Sequence, residues 1–152
     1  MINAEIAEGQ RNAEQEQNRL MNAEKEQNRL NTITGEIIGA AMKVHDVLGP
    51  GLLEKTYEVC LAHELNRRGM FVQAQVALPV VYEGLRVDLG YRIDLLVENS
   101  VIVELKAQEG VLPIHHAQLL SYLRLSGKRV GLLLNFHAAR LKDGITRIVN
   151  RF

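Results

Sequence analysis

The chain has 152 residues, of which 47% are apolar and 24% charged, a balance typical of one globular domain. It carries 18 basic and 18 acidic residues, so the net charge neither favours nor excludes a nucleic-acid partner. The polar N-terminus, the lack of any apolar run of about 18 residues and the single cysteine argue against a secretory signal, a membrane span and an internal disulfide, so we expect a cytoplasmic protein.

Residues 1–31 form a polar segment with two decapeptide repeats, 11–20 and 21–30, which are identical at eight of ten positions. A ten-residue period turns the pattern by about 80° per repeat, so Leu20 and Leu30 do not fall on one apolar stripe of a helix. We therefore predict a solvated extension that is helical or disordered. The alternative is an oligomerisation helix, which would make the chain a homodimer or a higher homo-oligomer.

The remaining residues, 32–152, are predicted to form the globular domain. Apolar residues at helical spacing predict a first helix over residues 32–48, capped by Thr32 or Thr34. The Gly-Pro-Gly turn at 49–51 ends it, because proline cannot continue a helix and glycine tolerates the turn. A second helix is predicted from about residue 52 to residue 68.

Strands and a third helix follow. Runs rich in β-branched residues predict strands at 72–83, 86–97 and 101–107. Pro113 opens a predicted third helix that runs to about residue 126. A fully apolar run predicts a buried strand at 128–135, and a last edge strand is predicted at 145–149. The element order ααβββαβ(β) predicts an α/β sandwich with a mixed central sheet.

Charged residues converge on one face of two otherwise apolar strands. With Glu98-Asn99-Ser100 as a three-residue hairpin loop, residues whose numbers sum to 198 lie opposite each other, which pairs Asp94 with Glu104. Residues two apart in a strand share a face, so Lys106 lies beside Glu104. We therefore expect these three side chains to be neighbours.

Two readings of this cluster remain open. Asp94, Glu104 and the backbone carbonyl of Leu105 offer hard oxygen ligands suited to Mg²⁺ or Mn²⁺, and Lys106 could hold or deprotonate a water. The alternatives are a structural ion pair of Lys106 with Asp94 or Glu104, and a face that is simply exposed.

Four segments together resemble a known family. Asp94 followed after nine residues by Glu104-Leu105-Lys106 is similar to the core of the PD-(D/E)XK nuclease superfamily, although Ile93 replaces the proline. Residues 51–57 match the pattern that names the GxxExxY proteins. Residues 118–122 are similar to the Gln-x-x-x-Tyr element of RecB-like members, and residues 131–136 to the closing strand of the GxxExxY family. The resemblance covers about residues 33–150.

The resemblance implies a restriction-endonuclease-like fold and the activity of a divalent-metal-dependent nuclease. It implies nucleic acid as the partner, with DNA as the preferred candidate. It implies that Asp94 and Glu104 bind the metal, that Glu54 reaches the metal directly or through water, and that Lys106 positions the nucleophile. It further implies that Tyr57 orients Glu54. Supporting or phosphate-contacting roles are implied for the helix residues Gln118 and Tyr122.

Two other functions fit the same sequence. One is a catalytically idle nucleic-acid-binding or regulatory module of the same fold. The other is an assembly protein that uses the N-terminal repeat. No glycine-rich phosphate loop, serine nucleophile elbow or Rossmann glycine pattern supports another enzyme class.

Overall fold

The computed structural model describes residues 2–151. The chain divides into two compact units, Met1–Thr32 and Ile33–Phe152. Helix α1, Ile2–Leu48, contributes to both. In the first unit most side chains are exposed, and neighbouring turns are joined by pairs such as Arg19–Glu16 at 3.8 Å and Arg29–Glu26 at 3.2 Å. The decapeptide repeat is therefore helical, with its polar residues in contact with water.

The predicted cap at Thr32 or Thr34 is wrong. Thr32 lies inside α1, and its hydroxyl donates to the backbone carbonyl of Asn28 at 3.0 Å. The helix does not start here because the Glu-, Gln- and Arg-rich repeat that precedes it consists largely of good helix formers. Hydroxyl groups inside a helix bond back to the preceding turn in this way instead of capping.

The second unit holds two further helices and seven strands. The helices are α2, Glu54–Arg67, and α3, Pro113–Ser126, with a short 3₁₀ helix at Leu141–Gly144. The strands are β1 Val72–Ala77, β2 Val80–Tyr82, β3 Leu85–Val87, β4 Arg92–Val97, β5 Val101–Lys106, β6 Val130–Asn135 and β7 Ile145–Val149. Within residues 2–151, no helix combines the length and apolar character needed to span a bilayer.

Five strands form a central sheet in the order β1-β4-β5-β6-β7. Strands β5 and β6 are parallel and are connected through α3, whereas the other neighbours are antiparallel. The sheet is therefore mixed, with β7 at one edge as predicted. The predicted fold class, a restriction-endonuclease-like α/β sandwich, is confirmed.

Two predicted strands are each divided in the structure. The chain leaves β1 at Leu78-Pro79, because proline has no N–H to donate to a sheet, and it turns again at Gly90, whose φ is +81°. Between these breaks, β2 and β3 pair with each other as a separate two-stranded sheet. The sequence therefore contains five strands before α3 rather than three.

The central sheet is covered on both faces. Leu96 and Ile102 pack with Leu119 and Leu123 of α3. Gly131 in β6 permits this approach, since a Cβ there would lie 2.8 Å from Leu119. Residues of β4 and β5 with the other parity, Leu95, Val97, Val103 and Leu105, are fully buried, and α2 contacts β1, β4 and β5. Asp94 is two residues from Leu96, and Glu104 and Lys106 are two and four residues from Ile102. Their side chains therefore leave the sheet on the face that packs against α3.

Candidate active site

The β4–β5 hairpin has the predicted register. Leu95 pairs with Val103 and Val97 with Val101, and the loop is Glu98–Ser100, closed by a 3.0 Å bond from the Ser100 N–H to the Val97 carbonyl. Each of these pairs sums to 198. Asp94 and Glu104 are the next pair toward the open end of the hairpin, so the prediction that they are cross-strand neighbours is confirmed.

At this open end the two carboxylates replace the regular strand pairing. The Asp94 N–H donates to Oε1 of Glu104 at 3.1 Å, and the Leu105 N–H donates to Oδ2 of Asp94 at 2.9 Å. The paired register ends at Leu95 and Val103. Each carboxylate is thus held against the backbone of the opposite strand, and the carbonyl of Leu105, which points to the same side as its N–H, lies beyond the last paired residues.

The electrostatic state of Glu104 reflects its burial. Its exposed fraction is 6%. Burial, and next the negative charge of Asp94, raise the pKa of Glu104 to about 9, against a partial opposing effect of Lys106. A cation beside the pair would oppose both causes, because it would stabilise the ionised form of Glu104.

No side chain supplies that charge directly. Within residues 2–151, no lysine or arginine forms an ion pair with Asp94 or Glu104. The structural ion pair considered as an alternative for this cluster is therefore contradicted. Glu104 is buried, so the alternative of a merely exposed face is wrong for it as well.

Glu54 approaches from the first residue of α2, and its side chain is exposed. Partial burial raises its pKa, the positive charge of Lys106 opposes this, and the negative charges of Asp94 and Glu58 add to the rise. Glu54 therefore lies within electrostatic reach of Asp94 and Lys106. Within the described part of the chain, however, no three His, Cys, Asp or Glu side chains form a cluster tight enough to hold a metal ion.

Tyr57 contacts the loop that immediately precedes Glu54. Its buried hydroxyl donates to the Gly49 carbonyl at 2.6 Å and accepts the Leu52 N–H at 3.0 Å. Its ring stacks on Phe136 with centroids 4.5 Å apart. These contacts connect the Gly-Pro-Gly turn to the end of β6, so Tyr57 holds the chain just before α2, the helix that Glu54 begins.

Two residues of the site escaped the sequence analysis. Glu58 is buried, accepts a 2.8 Å bond from Lys55 and accepts a 2.9 Å bond from the amide of Gln75. The same amide nitrogen of Gln75 lies 3.4 Å from Oδ1 of Asp94. The spacing of Glu58 four residues after Glu54 was a usable signal, because such residues share a helix face.

Gln75 has an unusual backbone. Its φ is +52°, although it lies within strand β1, whose register places it opposite Asp94 between the pairs Ala74–Leu95 and Val76–Ile93. A non-glycine residue in this region costs on the order of 1–3 kcal/mol and persists only where surrounding contacts impose it. Here the imposed conformation brings the amide to Glu58 and Asp94.

Helix α3 supplies the predicted Gln118 and Tyr122. The amide of Gln118 donates to the Tyr122 hydroxyl at 3.2 Å, along one helix face. Burial, and then the charges of Glu104 and Asp94, raise the pKa of Tyr122. Both residues line a cavity of about 500 Å³ that Lys106 also lines. The predicted residues of α3 therefore share a cavity lining with Lys106, and Tyr122 lies within electrostatic reach of both carboxylates.

The donor set fits a hard divalent cation in chemical type. Two adjacent carboxylates and a backbone carbonyl are oxygen ligands, and within residues 2–151 no ion pair neutralises either carboxylate. The fit rests on Asp94, Glu104 and Leu105, with Glu54 near but outside a preformed three-ligand cluster.

Comparison with known proteins agrees with this geometry. No curated protein and no solved structure matches the chain. A family model described as the PD-(D/E)XK nuclease superfamily matches residues 31–148, which include every site residue named above. The chain therefore belongs to the PD-(D/E)XK nuclease superfamily.

Proposed function

We propose that this protein is a divalent-metal-dependent nuclease that hydrolyses phosphodiester bonds in nucleic acid, with DNA as the first substrate to test. Membership of the nuclease superfamily supports the reaction class. The observation that carries the proposal is the pair Asp94 and Glu104, held side by side by hydrogen bonds from the backbone and without an ion-pair partner among residues 2–151.

In this proposal Asp94, Glu104 and the carbonyl of Leu105 hold Mg²⁺ or Mn²⁺. Glu54 supports the ion through a water, consistent with its position near the pair but outside a three-ligand cluster. Bound there, the ion would polarise the phosphate and lower the pKa of a water. Superfamily members generally use divalent metals.

Lys106 is proposed to position the attacking water and to offset charge that develops on the phosphate. Lys106 follows Glu104 by two residues, so the two side chains share a face of the strand. Burial raises the pKa values of Glu54 and Glu104, and the positive charge of Lys106 opposes this rise. Burial and then the charge of Lys106 both lower the pKa of His115. Among the described residues no carboxylate forms an ion pair with Lys106, so its ammonium group is available for this task.

Glu58 and Gln75 are proposed as positioning residues. Gln75 connects the buried carboxylate of Glu58 to Asp94, so it restrains one metal ligand from the side of α2. Removal of a group that orients a metal ligand commonly lowers metal affinity or activity by about 10- to 100-fold.

We also propose that the chain is a GxxExxY protein. Gly51, Glu54 and Tyr57 carry that pattern, and each has a physical task in the present geometry. Gly51 has a φ of +106°, Glu54 faces the site and Tyr57 holds the turn.

The test is a cleavage assay on labelled single- and double-stranded DNA and RNA with Mg²⁺, Mn²⁺ or EDTA. We expect metal-dependent cleavage that Glu104→Gln abolishes, with Glu109→Gln, a change at an exposed glutamate, as matched control. Cleavage that survives Glu104→Gln would refute the site. An inactive wild type without metal-dependent stabilisation would favour the idle binding module of the same fold.

A further inference from the structure

Most of the residues that line the cavity beside Lys106 have no role in the proposed catalysis. It measures about 500 Å³, and its lining includes Tyr91, Ile114, Gln118, Tyr122 and Leu125. Lys106 lies on the same lining, so the cavity adjoins the strand face that carries Glu104. The charges of Glu104 and Asp94 reach Tyr122 on its wall. The cavity therefore adjoins the proposed active site through Lys106 and Tyr122.

Apolar surface is exposed around this cavity. Ile114 is 65% exposed, Tyr91 42% and Leu125 41%. The rings of Tyr91 and Tyr122 lie in an edge-to-face arrangement with centroids 6.3 Å apart and an interplanar angle of 65°. Because Tyr91 is still partly exposed beside Tyr122, it retains ring surface for another flat group, with aliphatic side chains of α3 on the same lining.

Hydrogen-bonding groups lie among these apolar surfaces. His115, Gln118 and Ser121 also line the cavity. A glutamine amide carries two donor hydrogens and an acceptor oxygen, and the bond from Gln118 to Tyr122 uses one donor. A flat ring with polar atoms on its edge matches such a lining better than a purely aliphatic group or a phosphate does.

We propose that this cavity binds one unstacked nucleobase next to the scissile phosphate, and that the substrate is therefore single-stranded nucleic acid. The inference rests on the proposed nuclease function and names its substrate class. In a duplex each base is stacked and paired, and both interactions must be broken to extract one. A single strand avoids this cost, and stacking on an aromatic side chain does not depend on base identity.

Binding is measured by fluorescence anisotropy with a short labelled oligodeoxynucleotide, single-stranded or annealed as a blunt duplex. The full chain carries Glu104→Gln so that the probe stays intact. We expect the single strand to bind at least about ten-fold more tightly than the duplex. Tyr91→Ala should weaken single-strand binding about five-fold or more, since base stacking contributes roughly 1–3 kcal/mol.

Matched variants separate stacking from folding. Tyr91→Phe keeps the ring and should bind like the parent. Tyr82→Ala removes a 67% exposed tyrosine that does not line the cavity and should have no effect. Ile114→Ser, at a position too exposed to endanger folding, should weaken single-strand binding as Tyr91→Ala does.

Equal or tighter binding of the duplex, or equal effects of Tyr91→Ala and Tyr82→Ala, would overturn the inference. Efficient metal-dependent duplex cleavage that Tyr91→Ala leaves unchanged would overturn it too, while the nuclease proposal would stand. Conversely, single-strand binding through Tyr91 without cleavage by the wild-type protein would support the base site and remove the nuclease proposal.

Discussion

The side-chain amide of Gln75 lies 3.4 Å from Oδ1 of Asp94, the residue opposite it in the β1–β4 pairing, and 2.9 Å from Oε2 of Glu58. This arrangement exists because Gln75 adopts a φ of +52° in the middle of a strand. One strained residue thus connects a buried helix carboxylate to a proposed metal ligand.

Replacement of Gln75 separates its strain from its contacts. Gln75→Gly should lower the cleavage rate by about 10- to 100-fold, because Asp94 loses its restraint. Its melting temperature should stay above that of Gln75→Ala, since both variants lose the amide bonds but only glycine adopts positive φ without the steric cost. Gln75→Ala should lose the same activity and also melt earlier than the glycine variant. Full activity in both variants, measured beside their melting curves, would contradict the positioning role.

The raised pKa of Glu104 leads us to expect a specific pH dependence of stability in the absence of metal. Its folded pKa of about 9 lies above its ordinary value of 4.5, so the unfolded chain releases the proton first as the pH rises. Between these values the contribution of Glu104 to stability is progressively lost. In EDTA, the melting temperature of wild type minus that of Glu104→Gln should therefore fall as pH increases across this window. Asp94 and Lys106 are present in both proteins, so a constant difference would contradict the assignment.

Lys106→Ala should separate metal binding from the chemical step. The ammonium group is not a proposed ligand, so Mg²⁺ should still raise the melting temperature of the variant. Cleavage should fall by at least about 100-fold, because charge stabilisation in the transition state is lost. Metal titration followed by melting curves, beside single-turnover cleavage, measures both quantities. A variant that cleaves normally would exclude the proposed role.

Deletion of residues 1–25 tests the role of the N-terminal repeat. This deletion removes mainly exposed polar residues and keeps Leu30, which is only 2% exposed. The melting temperature and the cleavage rate should stay nearly unchanged, because exposed residues contribute little to stability. Size-exclusion chromatography with light scattering provides the second measurement. A change from oligomer to monomer on deletion would support the assembly function instead.

The site was predictable from the sequence where it depends on neighbours along the chain. A three-residue loop and strand alternation are enough to pair Asp94 with Glu104, and the same rules put Lys106 on their face. The limits of α3 also depend on local chemistry. Pro113 begins the helix because its ring fixes φ at a helical value, and Gly127 ends it because glycine adopts the left-handed conformation.

The division of the predicted strands was less visible. Pro79 signalled a break in the first strand, yet the separate pairing of β2 with β3 depends on the two turns at Gly84 and Gly90 together. Apolar runs of this length look alike whether a strand is continuous or folded back on itself. Only the three-dimensional pairing distinguishes the two.

What the sequence determined by itself was therefore the fold class, the hairpin register and the carboxylate pair, because strand period and turn chemistry act between neighbouring residues. The contact of Gln75 with Glu58 and Asp94, the turn held by Tyr57 and the cavity at Tyr91 were decided by the tertiary structure. They join side chains from different elements, and the backbone angle of Gln75 is imposed by those contacts against its local preference. No local pattern encodes a conformation that local preferences oppose.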